Sequence, residues 1–287
     1  MARVVVVTDS TAYLPARLAA PEHVEVVPLR VRCGSRVGLD GVDIGPAEVA
    51  EALRTATAPV STSRPAPAEM AALYRRLLDG GADEVVSVHL SRLLSGTWEA
   101  ARIAADEVDP TRVRVVDSLS TGMGLGFAVL AAAEEAAAGS PADQVEKAAS
   151  EVAGRSRVFF CVDSLEQLRR GGRIGAAAAW LGSALAVKPL LHVVAGRIEP
   201  LEKVRTTARA VTRMVELAAR AAGPGAALLA VHHLAAPCRA EELAALLTRR
   251  LPDAAPCVVS EVGAVLGAHA GPGLLGVVVV PVRSASG

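Results

Sequence analysis

The stretch Glu84-Val85-Val86-Ser87-Val88-His89-Leu90-Ser91-Arg92-Leu93-Leu94-Ser95-Gly96-Thr97-Trp98-Glu99-Ala100-Ala101-Arg102 decides how the chain is read. Val85 to Leu90 is an apolar run of strand length and β-branched content. A short loop follows, and a helix-compatible stretch begins at about Thr97, opened by Ser95, Gly96 and Thr97. Ser and Thr suit a helix start because their hydroxyls accept from backbone N–H groups that lack helical partners. Glycine there lets a ligand approach the backbone closely. The exposed N–H groups and the positive end of the helix dipole make such a turn an anion site. A capped turn with no ligand is the plainer alternative, so function requires other segments to point to the same chemistry.

Outward from this unit, strands and helices alternate through the first half. Residues 3–8 read as a strand ending in Thr8-Asp9-Ser10, with Pro15 opening a short helix. Residues 24–32 read as a strand and 46–55 as a helix. Thr62-Ser63-Arg64-Pro65-Ala66-Pro67 precedes an amphipathic helix from Ala68 to Leu78. A strand at 112–117 and a helix from Leu125 to Ala138 complete the pattern, which implies right-handed βαβ units on a parallel sheet. Gly139-Ser140-Pro141 is a composition break, and residues 1–140 are expected to form a parallel α/β/α domain.

Residues 141–287 differ in texture and suggest an α+β domain. Val158–Val162 reads as a strand, Ser164–Arg170 as a short helix stopped by Gly171-Gly172, and Ala176–Ala186 as helical. Val187–Val194 and Arg197–Val204 read as a hairpin across Ala195-Gly196, followed by a helix from Thr206 to Ala222. Strands at 226–233, 257–262 and 274–280, with a helix at 240–250, finish the chain.

Bulk properties exclude several classes. The 287 residues carry 30 basic and 30 acidic side chains, and no net charge calls for a nucleic-acid partner. Hydrophobic residues reach 52% while aromatics are 2%, so the core is built from Ala, Val and Leu. Cys33, Cys161, Cys238 and Cys257 are too scattered for a zinc site or disulfide framework, which fits a reducing cytoplasm. Val4–Val7 is too short for a secretory signal core. The uncharged stretches 221–238 and 262–282 are punctuated by Gly and Pro, so short strands are expected there and no integral membrane segment. No G-x-x-x-x-G-K-[ST], H-E-x-x-H or G-x-S-x-G occurs, and no cofactor or metal site is read.

What remains is hydroxyls, backbone amides and imidazoles. Thr62 and Ser63 stand at one helix entrance, and Ser95, Gly96 and Thr97 at another. Gly267-Ala268-His269-Ala270-Gly271-Pro272-Gly273 reads as a glycine-framed loop that leaves an imidazole accessible, against the alternative of a packed or surface His. His232-His233 ends a strand, where adjacent side chains face opposite ways. Arg169-Arg170-Gly171-Gly172-Arg173 is a basic turn that also reads as a solvated helix end. Val7-Thr8-Asp9-Ser10, Val116-Asp117-Ser118 and Val162-Asp163-Ser164 repeat an Asp-Ser turn at strand ends. Together these groups recognise an anion without an evident acid–base pair to transform it.

One set of motifs runs in order along the chain: Val6-Val7-Thr8-Asp9-Ser10, Ser61-Thr62-Ser63-Arg64-Pro65, Leu94-Ser95-Gly96-Thr97-Trp98 and Asp117-Ser118. It continues through Asp163-Ser164-Leu165-Glu166, Gly171-Gly172-Arg173-Ile174, Lys188-Pro189, Glu202-Lys203-Val204-Arg205-Thr206 and the Gly267–Gly273 motif. With these motifs the sequence resembles the DegV family of fatty-acid-binding proteins along nearly its whole length. The resemblance implies two domains and a long-chain fatty acid held in an apolar tunnel, with the second domain closing it. The carboxylate would be met by residues matching Thr62, Ser95 and His269, and presented to a separate kinase, the catalytic partner of a fatty acid kinase. Arg173 and Arg205 would line the head-group region or dock that partner. The family pattern usually has Gln where this chain has Arg64, and Thr where it has Ala270. Arg64 would either bring a cation near the carboxylate or point to solvent. Two other readings of the same residues stay open: an esterase or acyltransferase with Ser95 as nucleophile and His269 as base, and a binder of phosphorylated metabolites.

Overall fold

The structure, a computed structural model, describes residues 3–15, 24–180 and 187–282. It begins with β1 (Val4–Asp9), β2 (Val24–Val27), β3 (Arg30–Cys33), β4 (Arg36–Leu39), α1 (Pro46–Thr55) and β5 (Val60–Ser63). Then come α2 (Pro67–Asp79), β6 (Glu84–His89), α3 (Thr97–Val108), β7 (Val113–Asp117), α4 (Met123–Ala137) and α5 (Ala142–Arg155). Next are β8 (Arg157–Cys161), α6 (Glu166–Arg170), β9 (Lys188–Val194), β10 (Arg197–Val204) and α7 (Thr207–Ala222). The last elements are β11 (Ala227–His233), α8 (Pro237–Arg250), β12 (Val258–Glu261), α9 (Ala264–Ala270) and β13 (Leu275–Pro281).

These elements form two compact units, Met1–Arg30 with Ser63–Gly154 and Val31–Thr62 with Arg155–Gly287. The division therefore falls elsewhere than at residue 140. Gly139, at φ +77°, only turns the chain between two helices of the first unit. Glu146 on α5 pairs with Arg114 of β7 at 3.1 Å, and Val145 and Ala149 are buried, so α5 stays with the parallel sheet. Residues 31–62 join the second unit, where Asp40 Oδ1 accepts from Ala264 N at 2.7 Å and α1 packs on α9.

The first unit is built on a four-stranded sheet in the order β2-β1-β6-β7, parallel throughout. Every residue of β1 is buried, as expected of a parallel strand covered on both faces. Val7, Val85 and Val113 meet Met70, Ala71 and Tyr74 of α2 and Ala101, Ala104 and Ala105 of α3. The α4 helix packs against β1 and β6. The carboxyl ends of β6 and β7 align, with His89 opposite Asp117, so the loops after them share one edge, where open α/β sheets place ligands.

The second unit holds a six-stranded sheet ordered β10-β9-β8-β13-β11-β12, antiparallel except for the β11–β12 pair. One face is covered by α7 and α8, whose Met214, Ala218, Leu243 and Leu247 pack on Leu190, Leu229, Val231 and Val277. Because side chains alternate, the row Leu191, Phe160, Gly276 and His232 points from the opposite face. The hairpin of β9 and β10 turns at Ala195 and Gly196, both at positive φ, a pairing that suits the right-handed twist of the strands.

Three expectations change. The strand read over 24–32 is two strands in different sheets. Pro28 between them has no N–H for a ladder, and Leu29 N donates to Ser10 Oγ. Thr62 and Ser63, read as standing at a helix entrance, end the strand Val60–Ser63 of a small sheet ordered β4-β3-β5. The helix read over 176–186 is a 3-10 turn at Gly175–Trp180, and its remainder lies outside the described residues, as does the body of the helix read after Pro15. Among the described residues no helix is long and apolar enough to cross a membrane.

Gly126, inside α4, gives a sign test of the packing. Glycine to alanine in a helix interior normally stabilises by about 1 kcal/mol. Here an added Cβ would lie 2.9 Å from the Ala12 carbonyl oxygen and 2.7 Å from Met123 Sδ. Gly126→Ala is expected to lower stability by about 1–3 kcal/mol, read by urea denaturation, because overpacking outweighs propensity. A stabilised variant would contradict this packing.

Candidate functional site

The second unit carries Thr62, His269 and Arg173. Thr62 sits on β5, and its Oγ1 lies 2.8 Å from His269 Nε2. The Gly267–Gly273 motif is not the open loop expected from its glycines: Ala264–Ala270 is a helix, and His269 is a partly buried residue of its last turn. A seven-residue segment forms a helix here because Asp40 accepts from its first amide and α1 packs along it. Gly267 permits that packing, since a Cβ there would meet Leu234 at 3.2 Å and Val49 at 3.6 Å. Gly271, at φ +77°, ends the helix. Gly273 leaves room for Asp163, whose carboxylate would lie 2.5 Å from a Cβ and which pairs with Lys188 at 2.6 Å.

The basic turn after α6 closes on the same imidazole. A Cβ on Gly171 would stand 2.1 Å from His269 Nδ1, so only glycine lets the backbone pass there. The Arg173 guanidinium donates to the Gly171 carbonyl. Burial, helped by the charge of Arg173, pushes the His269 pKa down to about 4. The ring is therefore neutral at pH 7, with a proton on one nitrogen only. Its Nδ1 is buried and has no hydrogen-bond partner among the described residues. An orphaned ring nitrogen beside a hydrogen-bonded hydroxyl marks a place for a polar ligand atom or water.

The first unit carries the other set. Ser95 Oγ lies 2.9 Å from Thr97 Oγ1 and accepts from Thr97 N at 3.3 Å, while Thr97 itself is fully buried. Thr97 thus braces Ser95. Arg64 lies along this turn, donating to the Gly96 carbonyl at 3.3 Å and pairing with Glu99 at 3.7 Å. A Cβ on Gly96 would come within 2.8 Å of that guanidinium, so glycine and arginine fit as a pair. Ser63 and Arg205 are exposed. His232 is buried, with its Nδ1 3.2 Å from the Ser260 carbonyl, and burial lowers its pKa to about 4. Ser95 is bonded within its own turn, and the first unit's His89 is held between Ser87 and Asp9. Among the described residues of that unit, the Ser95 hydroxyl is thus bonded to Thr97 and not to His89.

Sequence reading missed Gly171 as the residue that makes room for the imidazole. It also missed Asp40 and Asp9 as acceptors for the amides of Ala264 and Leu90. Both acids lie far along the chain from the amides they hold, so spacing carried no sign of them.

A family described as "uncharacterised protein, DegV family" matches residues 3–282. A DegV domain-containing protein of Streptomyces coelicolor is 55% identical over 276 residues, spanning 96% of this chain and 98% of that one. Among solved structures, a DegV family protein from Thermus thermophilus, described by its fatty acid binding, is 34% identical with a TM-score of 0.89. Its match covers 98% of this chain and 100% of that chain. DegV of Bacillus subtilis, described as a fatty acid binding protein, is 32% identical with a TM-score of 0.88 and the same coverage.

The depressed His269 pKa links stability to pH. The unfolded ring, near 6.5, binds a proton that the folded ring refuses until about pH 4, so stability falls as pH drops through that window. About 3 kcal/mol of that loss belongs to His269. His269→Gln should lose correspondingly less stability between pH 7 and pH 4 in urea titrations, and parallel curves would contradict the assignment.

Proposed function

The chain belongs to the DegV family, and on that footing we propose that it binds a long-chain fatty acid in an apolar tunnel and presents the carboxylate to a separate kinase. The observation that carries the reading is the neutral His269 bonded to Thr62, its second ring nitrogen unpartnered among the described residues, in a chain whose solved relatives are described as fatty acid binding. Thr62 donates to His269 Nε2, so the head group accepts from the Ser95 hydroxyl and from the proton then carried on His269 Nδ1. Burying a carboxylate without donors would be costly, and hydroxyls with a nearby Arg173 reduce that cost.

The tail dominates affinity. Each buried methylene contributes roughly 0.8 kcal/mol, so about fourteen give on the order of 11 kcal/mol gross. The polar groups set orientation. The sequence has no phosphate-binding loop of the G-x-x-x-x-G-K-[ST] type, so the partner supplies the nucleotide and the phosphoryl group. This chain is then the acyl-carrying, non-catalytic subunit, working in the cytoplasm, with Arg173 and Arg205 facing the head group or the kinase.

Native mass spectrometry of gently purified protein should show an acyl adduct, and delipidated protein should take up oleate or palmitate. Ser95→Ala and His269→Ala should each weaken oleate binding on the order of tenfold while the protein stays folded. A ligand-free chain that takes up neither acid would overturn the proposal.

A further inference from the structure

The first unit buries four polar side chains in one hydrogen-bonded line, and Asp9, His89, Ser87 and Tyr74 are all fully enclosed. Tyr74 donates to Ser87 Oγ at 2.8 Å. Ser87 Oγ, having accepted there, gives its own proton to His89 Nε2, also at 2.8 Å. A neutral ring that accepts at Nε2 carries its proton on Nδ1, which lies 3.0 Å from Asp9 Oδ2. The same Oδ2 accepts from Leu90 N at 3.0 Å, while Oδ1 accepts from Thr11 N at 3.1 Å and Thr11 Oγ1 at 2.6 Å. Four donors converge on one buried carboxylate, which is what such a group requires in a dry interior.

The place of this line in the fold gives it a purpose. Backbone pairing of β1 with β6 runs from Val4–Glu84 to Val7–Ser87, and two residues past it the strands are joined by the side chains of Asp9 and His89. Leu90, whose amide Asp9 holds, leads directly into the functional turn. The Ser91 carbonyl accepts from Leu94 N at 2.9 Å and from Ser95 N at 3.0 Å, so that turn is built on the residue after Leu90. The order Ser87, His89, Asp9 is that of a hydrolase triad, but Ser87 is fully enclosed and already accepts from Tyr74, so no substrate reaches it.

We infer that His89, acting through Asp9, is a positioning residue for the Ser95–Thr97 turn. Its proton on Nδ1 fixes the Asp9 carboxylate, the carboxylate fixes Leu90, and Leu90 fixes where the Ser95 hydroxyl stands. The consequence for ligand affinity rests on the fatty-acid reading above. The consequence for the turn itself does not.

Two substitutions separate positioning from filling space. In His89→Asn the side-chain amide takes the place of Nδ1 and keeps the bond to Asp9. In His89→Gln the amide reaches the place of Nε2, keeps Ser87 and abandons Asp9, although glutamine is nearer to histidine in volume. Hydrogen exchange of amides 90–97 in the ligand-free full chain should rise about tenfold in His89→Gln and stay near wild type in His89→Asn. The Kd for oleate should rise on the order of tenfold in His89→Gln alone. Glutamine matching or exceeding asparagine in the exchange readout would overturn the inference. If neither variant folds, Thr11→Ala, which removes one donor from the same carboxylate, should speed exchange at 90–97, and unchanged exchange would overturn it. A wild-type chain that takes up no oleate while the exchange order holds removes the fatty-acid reading and leaves the positioning role standing.

Discussion

A neutral imidazole held against a threonine hydroxyl is the constraint from which the second unit's site follows. Withdrawal from water lowers the His269 pKa from near 6.5 to about 4, so the ring stays uncharged at pH 7 and well into the acid range. Withdrawal in turn demands that backbone come close to the ring, which glycine at 171 allows and any Cβ would prevent. The helix that presents the ring must begin at a held amide and end abruptly, which Asp40 and Gly271 provide. The glycines of the Gly267–Gly273 motif thus serve packing, termination and clearance for Asp163, three different physical needs in seven residues.

The two units prepare their polar groups by the same device. In each, a buried aspartate accepts the backbone amide that opens the functional segment. Asp9 holds Leu90 before the Ser95 turn, and Asp40 holds Ala264 before the helix of His269. A buried carboxylate is expensive unless saturated with donors, so the arrangement leaves little freedom in where those segments start. Small side chains assist: the alanines of α3 lie against α2 and the strand valines in a tight aliphatic core. Precise placement of hydroxyls comes from this rigidity.

Much of the architecture was legible in the sequence because periodicity and turn chemistry are local. Alternating strands and helices announced the parallel sheet, and Ala195-Gly196 announced the hairpin, which both residues make at positive φ. The division of the chain was not legible, since Gly139-Ser140-Pro141 looks like a boundary but only turns between α4 and α5. Residues 31–62 belong with the second unit through contacts more than two hundred residues away, which no local pattern encodes. At the site, residue types were readable and their environments were not. The same glycines that suggested an open loop around His269 are the reason a helix can pack there. Arg64 takes its partners from Gly96 and Glu99, more than thirty residues along the chain, which no local pattern encodes.

The central claim is that His269 is a neutral hydrogen-bonding group at working pH, and nitrogen-15 NMR of the histidine side chains tests it most directly. In ligand-free full-length protein the His269 ring should show one protonated and one unprotonated nitrogen at pH 7 and begin to titrate only below about pH 5. Oleate should shift the resonance of its otherwise unpartnered Nδ1. A ring that titrates near 6.5, with resonances indifferent to oleate, would contradict the account.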